Sequence, residues 1–100
     1  MTHPVASPPR PAGYAFPLAE LETARLMAAR RGWQLAILLD HGGPGEDYEE
    51  VLALTPASGG RWLVWRGAEQ LRVLAPDGRM RSFAGLTAAL AAIGGLARPV

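Results

Sequence analysis

The chain has 100 residues, 49% of them hydrophobic and 19% charged, with a formal net charge of +1. That is room for one domain with one modest core, and the charge balance gives no reason to expect a nucleic-acid partner. The lack of cysteine excludes disulfides, thiolate catalysis and thiolate metal sites, and no apolar run approaches the roughly 20 residues of a membrane-spanning helix.

Residues 1–13 contain Pro4, Pro8, Pro9 and Pro11. Proline lacks an amide hydrogen and biases its predecessor to extended conformations, so this segment reads as a disordered Pro-rich tail ahead of a single domain over 14–97. It has no apolar stretch of the kind a secretory signal needs, and a cytoplasmic protein is expected. The basic residues are ten arginines and no lysine. With abundant Ala, Gly and Pro this fits a GC-rich, bacterial-type genome better than an arginine-specific task.

Residues 16–31 read as a helix. Pro17 suits the first helical turn, the glutamates 20 and 22 lie near the positive end of the dipole, and Arg30 and Arg31 near the negative end. Leu18, Leu21, Ala24 and Ala28 form the expected buried stripe, and Gly32 a stop. Residues 33–39 read as a strand entering the interior. Residues 40–47 read as an exposed loop with Gly42, Gly43, Pro44 and Gly45. Residues 40–50 also hold five acidic side chains: Asp40, Glu46, Asp47, Glu49 and Glu50. With His41 they offer oxygen and imidazole donors, but the spacing matches no calcium loop and a solvated acidic segment is expected. The glycines lack the lysine and following hydroxyl residue of a P-loop.

Residues 48–55 alternate in the manner of a strand, although Asp47 and Glu50 also have capping-box spacing for a helix. Pro56 and the Gly59-Gly60 pair follow at hairpin distance. Residues 61–66, Arg-Trp-Leu-Val-Trp-Arg, are bulky, aromatic and too short for a helix, and read as a strand. Period two puts Trp62, Val64 and Arg66 on one face and Arg61, Leu63 and Trp65 on the other. Gly67 to Glu69 turn the chain, and residues 70–75 return. Pro76-Asp77-Gly78 is a tight-turn signature, and residues 79–83 form a short final strand. Residues 86–93 make the clearest amphipathic helix, with Leu86, Ala89, Leu90 and Ile93 on one face and Gly94-Gly95 ending it. The predicted fold is α+β: a helix, an antiparallel meander of three to five strands, and a helix. Both helices then cover one sheet face and leave the other available.

Arg61, Trp62, Trp65, Arg66, Arg72, Arg79 and Arg81 form the candidate partner-binding set. Arginine with aromatic residues on strands is also how single-stranded nucleic acid is held. Only one tryptophan can share a face with any given arginine row, and that weakens the nucleic-acid reading. The element order is similar to that of double-stranded-RNA-binding domains. Here, however, the start of the last helix carries no charge after Arg81, where such domains grip phosphate. Nothing resembles a nucleophile elbow, and His41 is the lone histidine of the folded part. No catalytic residue, metal or cofactor is therefore expected. The expectation is a non-catalytic module that binds another protein or a second copy of itself. A nucleic-acid accessory role for the Arg/Trp face stands second.

Overall fold

A computed structural model describes residues 16–41, 48–67 and 69–96. The elements are α1 (Leu18–Arg31), β1 (Gln34–His41), β2 (Tyr48–Thr55), β3 (Trp62–Arg66), β4 (Leu71–Leu74), β5 (Met80–Phe83) and α2 (Leu86–Leu96). The strands form one five-stranded antiparallel sheet in chain order, β1-β2-β3-β4-β5. Helix α1 packs on β1 and α2 on β4 and β5. This is the expected α+β meander. The strand reading of 48–55 holds, and the capping-box helix does not form. The proline-rich tail expected over 1–13 lies outside the described residues, as does the 42–47 part of the acidic loop.

The register assigns the two faces. Leu54 lies opposite Leu35 and Trp62, and Leu52 opposite Ile37 and Val64. Val64 opposes Val73, and Arg66 opposes Leu71. This is the face beneath the helices. Leu52, Leu54, Trp62, Val64, Leu71 and Val73 are buried there, against Phe16, Ala24 and Ala28 on one side and Leu86, Ala89, Leu90 and Ile93 on the other. Each buried leucine, isoleucine, valine or phenylalanine among them contributes about 1.5–3 kcal/mol of apolar transfer.

Turn chemistry fixes that register. At 75–79 the Ala75 amide donates to the Arg79 carbonyl (2.8 Å) and the Gly78 amide to the Ala75 carbonyl (2.9 Å). The Arg79 amide donates to Asp77 Oδ1 at 3.0 Å. Gly78 has φ +90°, the left-handed residue that a three-residue hairpin loop requires. Gly60, at φ +84°, is confined as well: a Cβ there would lie 2.8 Å from Pro76 Cγ. The β2–β3 and β4–β5 turns therefore touch, and glycine makes room for the contact.

Several expectations are corrected. Helix α1 starts at Leu18, with Pro17 as its N-cap residue. Leu18 was expected in the buried stripe but is 77% exposed, and Phe16 is fully buried. Phe16 takes the apolar place: its ring joins the core cluster, and its amide donates to Glu50 Oε1 at 2.8 Å, which holds the chain against the sheet just before the helix begins. At the other end Gly32, at φ 74°, places the Trp33 amide on the Ala28 carbonyl, so Trp33 belongs to the helix stop and β1 begins at Gln34. Asp40 and His41 continue β1 as the partners of Glu49 and Tyr48. Helix α2 runs through Gly94 and Gly95 to Leu96. A Cβ on Gly94 would lie 2.5 Å from Arg31 Nη1, so the guanidinium at the end of α1 rests on the part of α2 that this glycine leaves bare.

Candidate functional site

The helices cover one face of the sheet, and the opposite face is ordered in rows. One row crosses all five strands: Ala36, Ala53, Leu63, Leu74 and Met80. The next row holds Leu38, Val51, Trp65, Arg72 and Ser82. Eight of these ten side chains are apolar, and among the described residues no element packs over them. Ala36 and Met80 are exposed, Leu38, Val51, Leu63, Trp65 and Leu74 are partly buried, and Ala53 is shielded by its neighbours at 3% exposure. Contiguous exposed apolar patches are a feature of interaction surfaces.

The seven candidate residues fall into three groups. Trp65 and Arg72 belong to the open face and are direct cross-strand partners. Arg72 Nη1 lies 3.8 Å from Met80 Sδ, so its guanidinium lies along the same face. Arg61, just ahead of β3, borders that face at a hollow of about 600 Å³ shared with Gln34, Leu35, Ala36, Ala53 and Thr55. The small side chains of Ala36 and Ala53 account for the hollow.

Arg66 lies on the helix side. It is paired with Glu20, and its guanidinium stands 5.8 Å from the centre of the Phe16 ring. It ties the start of α1 to β3. Trp62, Arg79 and Arg81 meet in a separate cleft of about 370 Å³, between the β2–β3 and β4–β5 turns and the end of α2. Trp62 is only 6% exposed and supplies the cleft wall from the core. Arg79 is held by Asp77 at 3.6 Å, and Arg81 stands exposed opposite Val73. The structure thus brings together Trp65, Arg72 and Arg61 on one side and Arg79 and Arg81 on the other. It does not make one continuous arginine–tryptophan surface.

Reading the sequence for arginine and tryptophan missed the apolar members of the open face: Ala36, Leu38, Val51, Ala53, Leu63 and Leu74. Their signal was present. Residues 35–39 are apolar without alternation, so both sides of that strand present apolar side chains.

Among the described residues no three His, Cys, Asp or Glu side chains gather to hold a metal ion, and no helix is long and apolar enough to cross a membrane. No family model matches this chain, nor does any curated protein or solved structure.

Proposed function

We propose that this chain is a non-catalytic cytoplasmic module that binds another protein through the open face of its sheet. The observation that carries this reading is the continuous apolar row from Ala36 to Met80, flanked by Leu38, Val51 and Trp65, which the helices leave uncovered. Trp65 is its anchor, a large rigid side chain of the type that dominates binding energy in protein interfaces. Arg61 and Arg72 stand at the rim, where charge sets orientation and encounter rate more than affinity. The lack of cysteine suits a reducing compartment, where disulfides contribute nothing.

A nucleic-acid role needs stacked aromatics and cations on one surface. The open face offers one tryptophan and two arginines, and its acidic end at Glu49 faces the same way. A pull-down with and without nuclease separates the readings. A protein captured by the wild-type chain should survive nuclease and be lost with Trp65→Ala. Capture that nuclease abolishes, or that Trp65→Ala leaves intact, would overturn the assignment.

A further inference from the structure

Strand β1 is an edge of the sheet, eight residues long, with one side paired to β2 and the other to nothing among the described residues. Natural sheets blunt such edges with proline, lysine, a bulge or a short strand. β1 has none of these from Gln34 to Leu39. Two of its helix-side residues, Ile37 and Leu39, are 48% and 58% exposed. Glu20 reaches Arg66 on β3, and at 100° per residue Leu18, 77% exposed, lies on the flank of α1 away from β3.

We propose that β1 pairs antiparallel with β1 of a second copy, which joins two sheets into one of ten strands. The sequence of β1 is self-complementary about Ile37. In the register that sets Ile37 opposite Ile37 of the second copy, Leu35 faces Leu39 and Ala36 faces Leu38. Gln34 then falls opposite Asp40, the two polar ends of the run. Shifting by two residues in either direction sets Gln34 against Leu38 or Asp40 against Ala36. One register therefore matches apolar to apolar and polar to polar along seven residues, and a twofold axis through Ile37 generates it. The contact is isologous, as a closed dimer requires.

The dimensions suffice. Seven paired residues span about 24 Å, and the sheet with its helix layer is roughly 20 Å deep. Both partners together then bury about 1,000 Å², at the lower bound of specific interfaces. A dimer in concentration-dependent exchange with monomer follows. The open face that carries Trp65 takes no part in this contact, so the dimer would present two copies of it on one continuous surface.

The chain has no cysteine, so a single introduced thiol reports without background. At the twofold axis, opposed Cα atoms lie about 4.5–5.5 Å apart, within disulfide reach. Ile37→Cys should therefore cross-link to itself under mild oxidation. Leu39→Cys should not, because its copies lie about 14 Å apart, but it should cross-link when mixed with Leu35→Cys. Sedimentation equilibrium should show a dimer for the wild type and for Trp65→Ala, and a folded monomer for Ile37→Lys. The proposal is overturned by a wild-type chain that is monomeric at all concentrations. Equal cross-linking of Ile37→Cys and Leu39→Cys would also overturn it. So would a dimer that Trp65→Ala dissolves and Ile37→Lys does not, since self-association would then use the open face. A β1 dimer that forms while Trp65→Ala still captures its partner would instead count against the open-face reading alone.

Discussion

Trp62 and Trp65 are three residues apart on β3 and face opposite ways. Trp62 is 6% exposed among Val64, Val73 and Ile93, whereas Trp65 lies partly open beside Arg72. Trp62→Ala should cost about 3–5 kcal/mol in denaturant unfolding, the range for a buried aromatic truncation. Trp65→Ala should cost clearly less. Equal losses would mean that the open face is covered in the folded chain. Leu90, fully buried on α2, should lose about 2–5 kcal/mol on conversion to alanine. A change below about 0.5 kcal/mol would show that α2 does not dock. The glycines divide in the same way. Gly60→Ala meets the rigid Pro76 ring at 2.8 Å with φ at +84°, and should destabilise by about 1–3 kcal/mol. Gly94→Ala meets only the far end of the Arg31 side chain, which can swing aside. The helix interior then gains up to about 1 kcal/mol of propensity, so this variant should be at least as stable as wild type. Thermal unfolding of the two variants, with opposite shifts in Tm, checks both.

At the scale of elements, the strands were legible because β3 is a bulky aromatic run and the others are short apolar or alternating runs bounded by turn residues. The turn at Pro76-Asp77-Gly78 forms where its sequence placed it, with the positive φ carried by Gly78 alone. The face shared by Leu86, Ala89, Leu90 and Ile93 is buried as a unit. Helix ends were harder, because tertiary contacts set them. A glycine pair is a common helix stop, yet α2 continues through Gly94-Gly95 to Leu96. Phe16 rather than Leu18 fills the core, and its amide bonds to Glu50 on the sheet, a contact that no local pattern contains. The candidate site was half legible for a related reason. Period two separated Trp62 from Trp65 correctly, but which face the helices would cover depends on all five strands together. The Arg66 pair with Glu20 shows the consequence. Arg66→Ala should loosen the start of α1 and cost about 1 kcal/mol, which faster exchange of the Glu20 and Leu21 amides, both donated to the Pro17 carbonyl, would detect. Unchanged exchange there would mean that the pair holds nothing in place.

At the scale of the whole molecule, the sheet has one face committed to its own core and one largely apolar face over which no described element packs. The net charge of +1 gives little long-range attraction for phosphate. Single- and double-stranded oligonucleotides should therefore show no measurable binding at physiological salt, and no tryptophan quenching. Binding that persists there and is lost when Arg61 and Arg72 become alanine would favour the nucleic-acid reading. The most direct measurement is site-specific photo-cross-linking in cells of the source organism. One chain would carry the cross-linker at Met80, exposed at the end of the apolar row, and another at Ala29, exposed on the outer side of α1. A working open face predicts a discrete protein adduct from Met80, insensitive to nuclease, lost with Trp65→Ala and absent from Ala29. An adduct from Ala29 but not Met80, or one from Met80 that Trp65→Ala leaves unchanged, would contradict it.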